Sequence, residues 1–229
     1  MKWISDLIDL ILPRYCAVCG TILSPSEQDL CLNCLCQLPR IDSTRMQEIE
    51  KLFWGIIPVE RAASYIYYQK GSPYNNLLHL IKYKNHPDTA TRLATAAAQE
   101  LKENGFFEGI DAIIALPLSK KKERKRGYNQ CDYIAKGLSV VSGIPVLRGC
   151  VQRTIANETQ THKSREERWS NVEGIFSITN PDALQGKHLL LIDDVLTTGA
   201  TIASCAKSIT ALPHTRVSLF TLAYSHNRI

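Results

Sequence analysis

The chain has 229 residues, 45% of them apolar and 21% charged, ordinary proportions for a soluble globular protein. The length suffices for one good-sized α/β domain with something small beside it. No apolar run is long enough to span a bilayer, which argues against a transmembrane segment. The net charge of +5 is concentrated: from Lys120 to Arg126 six cations face Glu123 alone, so the rest of the chain sums to zero.

The first sixteen residues read MKWISDLIDLILPRYC. Asp6 and Asp9 interrupt the apolar stretch and no small-residue cleavage site follows, so a secretory signal is not expected. Trp3, Ile4, Leu7, Ile8 and Ile11 recur at helical spacing and predict an amphipathic helix over 1–12, packed on its own protein. A cytoplasmic protein is expected.

Five of the eight cysteines fall in CAVCGTILSPSEQDLCLNCLC. Cys16 and Cys19, then Cys31 and Cys34, form two C-x2-C pairs that can close four thiolates around a structural Zn²⁺. Two disulfides or a redox pair are the alternatives. A cytosolic chain argues against the first, and the absence of a βαβ context argues against the second. Cys36 is a spare that could replace Cys34. A zinc knuckle is thus expected over 13–39, followed by a linker over 40–57 containing a helical turn.

From residue 58 to 229 strands and helices alternate. AASYIYYQ reads as a strand carrying Tyr65, Tyr67 and Tyr68. Leu77, Leu78, Ile81 and Tyr83 sit at helical offsets, and DTATRLATAAAQELKEN is a clear helix stopped by Asn104-Gly105. DAIIALPL is a strand ended by Pro117, NQCDYIAKGLSVVSG a helix and IPVL a second strand. A long polar segment, about 148–174, suits a mobile loop or lid. HLLLIDDV, ATIASCAKSITAL and RVSLFTLAYS then read as strand, helix and strand. Alternation of this kind implies a parallel sheet covered on both faces, with ligands outside the carboxyl ends of its strands.

Asp193 and Asp194 end one such buried run, and burial makes neighbouring ionised carboxylates costly. They are therefore expected at the strand's open end. Thr197, Thr198, Gly199, Ala200 and Thr201 form the loop at the next helix's N-terminus, where unpaired N–H groups and the helix dipole favour a phosphate. The acids suit vicinal hydroxyls or a Mg²⁺ bridging them to a pyrophosphate. A phosphate cradle one sugar-length from a diol-binding acid pair describes a ribose 5-phosphate site. The six histidines show no ligand spacing.

LLLIDDVLTTGAT resembles the signature of type I phosphoribosyltransferases. The four-cysteine knuckle, LPLSKKKERKRGYNQ and RTIANETQTHKSREERWSNVEGIF, in that order, are similar to the ComF/GntX family, except that many members have Leu where this chain has Lys163. The resemblance implies a type I phosphoribosyltransferase-like domain over 58–229 that binds phosphoribosyl pyrophosphate or a ribose 5-phosphate nucleotide with Mg²⁺. It implies that Asp193 and Asp194 hold the ribose and Thr197–Thr201 the 5-phosphate. Leu118–Gly127 would be a loop around the pyrophosphate, with Arg126 and Gly127 as its matched residues. Arg168, with Arg153, Gln160, Lys163 and Arg165, is a candidate to close over pyrophosphate. A role in DNA uptake during natural transformation, with single-stranded DNA and the competence machinery as partners, is implied as well. For nucleic acid, Lys121, Lys122 and Lys125 are the expected contacts and the strand tyrosines the expected stacking groups. The alternative is an active phosphoribosyltransferase with an unidentified nitrogen acceptor.

Overall fold

Two predominantly apolar segments set the architecture. In the computed structural model, which describes residues 13–83, 86–154 and 174–225, they form strands β5 (His188–Leu196) and β6 (Arg216–Tyr224) at the centre of a four-stranded sheet. β1 (Ala62–Tyr67) pairs with β6 and β2 (Ala112–Ala115) with β5, all parallel, giving the order β1-β6-β5-β2. Side chains alternate along each strand. Leu190, Ile192, Phe220 and Leu222 therefore enter one apolar layer, and Leu189, Leu191, Val217 and Leu219 the other. The expected parallel sheet flanked by helices is what the chain forms.

The first layer is covered by α3 (Asn75–Tyr83), α4 (Pro87–Glu103) and α6 (Gln130–Ser142). Alanines 90, 94, 97 and 98 of α4 are fully buried and keep its surface low. Gly137 of α6 answers them: a Cβ there would lie 2.5 Å from the Thr91 carbonyl and 2.8 Å from the Ala94 methyl. The second layer is covered by α7 (Ala200–Thr210), α2 (Met46–Lys51) and a two-stranded antiparallel ribbon, β3 (Val151–Arg153) with β4 (Phe176–Ile178).

Four expectations change. IPVL is not a strand but a single bridge, Val146 to Ile113, because Pro145 brings no N–H to extend a ladder. Tyr83 leaves the apolar face and is exposed, since two residues beyond Ile81 is the wrong offset for that face. The stretch 120–126, expected as part of a loop, is a helix, α5 (Lys120–Arg126). The Ser119 hydroxyl accepts from the Lys122 N–H at 3.4 Å, and Gly127 closes the helix with its N–H on the Glu123 carbonyl at 2.7 Å. Finally, 40–57 connects knuckle and sheet but is no free chain: Ile41, Ile49, Phe53 and Ile57 are buried in the second layer. The expected helix over 1–12 lies outside the described residues, as does 155–173, the bulk of the expected loop. No described helix is long and apolar enough to cross a membrane.

Candidate functional site

Two places gather like-charged groups. At the first, the Cys16 N–H to Thr21 carbonyl bond (2.8 Å) and the Gly20 N–H to Cys16 carbonyl bond (3.0 Å) fold a tight turn around Cys16 and Cys19. Helix α1 (Leu32–Cys36) starts just after Cys31 and carries Cys34 inward. The ligand atoms of Cys16, Cys19, Cys31 and Cys34 all lie within 4.8 Å of one another, and Cys19 and Cys31 Sγ are 3.6 Å apart. Four sulfurs around a tetrahedral Zn²⁺ stand about 3.8 Å apart, so the set could hold such a metal. Cys36 is exposed and outside the cluster. Hydrogen bonding with Thr21 brings the Cys19 thiol down to about 6, whereas burial pushes the Cys34 thiol up.

The cluster is docked, not tethered. Asp29 pairs with Arg92 of α4, and the Tyr74 hydroxyl donates to the Cys34 carbonyl at 3.0 Å. Residues 39–41 run along β1, with the Tyr67 N–H on the Pro39 carbonyl and the Ile41 N–H on the Tyr65 carbonyl, both at 2.8 Å.

The second place is the carboxyl end of β5. Asp193 and Asp194 are the sixth and seventh of its nine residues, so they sit within the strand and not beyond it. Asp194 is buried and spoken for: its Oδ2 accepts from Gln130 Nε2 at 2.8 Å and pairs with Lys82 Nζ at 3.0 Å. Asp193 turns its Oδ1 to the Asp194 N–H at 2.8 Å, with the Cys131 thiol 3.8 Å away. Burial and then the Asp194 charge push the Asp193 carboxyl up to about 7.

Cations surround the pair. Arg126 donates to Gln130 Oε1 at 2.6 Å and lies over the Tyr83 ring at 5.3 Å. Arg153 of β3 lies over Phe176 at 5.6 Å, within electrostatic reach of Asp193, and its buried Nε has no hydrogen-bond partner among the described residues. Lys122, one turn before Arg126, is half-buried; burial, then Arg153 and Arg126, pull its ammonium down. Burial alone would lower Lys82, but Asp194 and then Asp193 hold it above its ordinary value. Lys82, Lys122, Arg126 and Arg153 thus face two carboxylates, an excess of positive charge that suits an anion.

Beside them lies the Thr197–Thr201 loop. Gly199 sits at φ 78, and a Cβ there would come within 2.9 Å of the Phe53 ring. Glycine is required twice over, by conformation and by the aromatic ring beneath it. The first N–H groups of α7 have no partner within their own helix, and Ala200 N–H reaches only Thr198 Oγ1 at 3.4 Å.

Of the expected site residues, the acids, Arg126 and the Thr–Gly loop occupy one end of the sheet, and Gly127 follows directly as the cap of α5. Arg168, Gln160, Lys163 and Arg165 lie outside the described residues. Lys121 and Lys125 are on the exposed face of α5, whereas Lys122 shares the inner face with Arg126. Tyr65 is buried in the first layer and offers no stacking surface. Lys82, Gln130 and Phe53 had no role in the sequence reading. Gln130 lay at the end of a quoted motif; Lys82 and Phe53 had no local signal. Carboxylates suit Mg²⁺ chemically, and here Asp194 Oδ2 is shared by Lys82 and Gln130, so an ion at that oxygen would compete with an ammonium.

No family model matches the chain. It is 31% identical over 138 residues to the DNA utilization protein YhgH of Salmonella typhi, covering 59% of this chain and 60% of that protein. The match to Competence protein F of Haemophilus influenzae is 29% over 213 residues, covering 91% and 84%. With Competence protein ComFC of Bacillus subtilis it is 38% over 95 residues, covering 42% and 36%. The match to the first of these spans less than two thirds of that relative's length. Similar solved structures include an adenine phosphoribosyltransferase (TM-score 0.41, 16% identity, covering 67% of this chain and 76% of that one) and the allosteric regulatory enzyme of purine biosynthesis (0.41, 17%, covering 62% and 29%). The relatives named for competence and DNA utilization, the motifs in their expected order and the four-cysteine cluster together support a ComF family protein.

Proposed function

We propose that the carboxyl end of β5 binds phosphoribosyl pyrophosphate with Mg²⁺, and that the protein acts in DNA uptake in the cytoplasm. The observation that carries this reading is charge arithmetic at one point of the fold. Two carboxylates suited to vicinal hydroxyls stand among four cations suited to a pyrophosphate, next to a helix N-terminus suited to a 5-phosphate. Asp193 and Asp194 hold the ribose hydroxyls, Thr197–Thr201 the 5-phosphate, and Arg126 with Lys122 and Arg153 the pyrophosphate. Asp193 and Asp194 would also be the residues to hold a Mg²⁺, which would supply charge neutralisation for the pyrophosphate. The DNA-uptake role rests on what the relatives' names say of those proteins. For the thiolate cluster we propose structural zinc, since four sulfurs close the coordination sphere.

Single-stranded DNA would meet the outer face of α5, where Lys120, Lys121, Arg124 and Lys125 are exposed. Calorimetric titration with phosphoribosyl pyrophosphate and Mg²⁺ tests the ligand. Saturable binding is expected, and its absence removes the reading. A pyrophosphate-release screen with bases and amines then separates a binding module, which releases none, from an active transferase.

A further inference from the structure

Lys82 is the residue whose role the family motifs do not supply. It comes from the C-terminal turn of α3, whose Leu77, Leu78 and Ile81 are locked into the core, so its backbone is fixed, while its side chain keeps 21% of its surface exposed. The Tyr128 hydroxyl, bonded to the Ile81 carbonyl, and Arg126 over Tyr83 hold that helix end against the α5–α6 junction. Its Nζ carries three donors, and among the described residues its one acceptor is Asp194. That same carboxylate oxygen is also served by Gln130, which stays in place through Arg126. Asp194 therefore does not depend on Lys82 alone for hydrogen bonding, while Lys82 has two donors left to spend.

We propose that Lys82 is a displaceable counter-ion: it neutralises Asp194 while the site is empty, and turns to the anionic ligand when a divalent cation takes the carboxylate. The idea deepens the phosphoribosyl pyrophosphate reading and rests on it. Its consequence is an opposition of signs. Lys82 competes with Mg²⁺ for Asp194 and so weakens metal binding on its own. It also adds a charge-assisted donor to pyrophosphate and so strengthens anion binding on its own. Metal and anion then favour each other's binding, because each frees the group that the other needs.

The test is calorimetry on the full chain with two probes taken separately, Mg²⁺ alone and pyrophosphate alone, for the wild type, Lys82→Met and Lys82→Gln. Removal of the ammonium is expected to weaken pyrophosphate by about tenfold, one charge-assisted contact, and to tighten Mg²⁺ severalfold. Thermal melts confirm that each variant is folded; two variants guard against one failing. Both affinities unchanged, or both lowered, would overturn the proposal. A wild type that binds phosphoribosyl pyrophosphate while Lys82→Met behaves identically sinks this inference alone. A wild type that binds neither pyrophosphate nor phosphoribosyl pyrophosphate sinks the functional reading beneath it.

Discussion

The thiolate cluster and the acidic end of β5 face the same difficulty and meet it differently. Each brings close together groups that repel once ionised, four sulfurs within 4.8 Å in one case and two adjacent carboxylates in the other. Among the described residues no lysine or arginine is paired with the cysteine sulfurs, and the cluster is one that could hold a metal. The carboxylates have their cations built in, as Lys82, Arg126 and Arg153. A site balanced from outside serves as a folding clamp; a site balanced from inside can exchange one partner for another and so suits a reversible ligand.

The largest effect should come from removing the outside charge. Cys16→Ser, or a strong chelator, should release the metal and with it on the order of 10 kcal/mol of local folding energy. Residues 13–38 should lose protection from hydrogen exchange while β5 and β6 keep theirs. Free thiols in the native protein together with no bound metal would remove the clamp from the comparison.

The next effect splits the acid pair. Asp194→Asn leaves the Lys82 ammonium buried without its counter-charge and should cost about 2 kcal/mol, with relief of repulsion on Asp193 offsetting part of the loss. Asp193→Asn should act the other way. The unfolded chain ionises this residue near its ordinary value of about 4, whereas the folded chain holds the proton up to about 7. The folded state thus binds more protons across that window, and stability falls as pH rises through it. Asp193→Asn should therefore melt higher than wild type at pH 8, with the gap narrowing below pH 7 and closing near pH 4. Equal shifts for the two variants would show that the carboxylates share one environment.

Gly199→Ala should cost about 1–2 kcal/mol, from left-handed backbone strain and the push against Phe53. It should also weaken phosphoribosyl pyrophosphate more than it weakens metal at the cysteines. A variant with wild-type binding would take the Thr–Gly loop out of the site. The smallest effect belongs to the outer face of α5. Neutralising Lys120, Arg124 and Lys125 should flatten the salt dependence of single-stranded DNA binding by roughly 0.7 units per lost contact, leaving phosphoribosyl pyrophosphate affinity nearly intact. Loss of the ligand instead would assign the whole helix to the inner site.

The two regions also differ in how far the sequence discloses them. The thiolate ligands are local: two C-x2-C pairs carry their geometry in their spacing, and the structure excludes Cys36 in favour of Cys34. The central strands were legible because β5 and β6 are predominantly apolar segments of strand length. The acids and the Thr–Gly loop were legible because they are contiguous. Lys82 was not, because it reaches Asp194 from another element and looks in sequence like any lysine on a helix. Nor was Phe53, hidden in what read as linker, although it fixes why residue 199 is glycine. The division of Lys120–Arg126 into an inner and an outer face needed the helix itself. As a loop the run is one patch; as a helix Lys122 and Arg126, four apart, turn away from Lys121 and Lys125.

The most direct test of the account is backbone hydrogen exchange with and without phosphoribosyl pyrophosphate and Mg²⁺. The account predicts new protection at the amides of Asp193 and Asp194, along Thr198–Ala203 and at the end of α3 around Lys82, with the knuckle unchanged. Protection confined to the knuckle or to the outer face of α5, or none at saturating ligand, would contradict it.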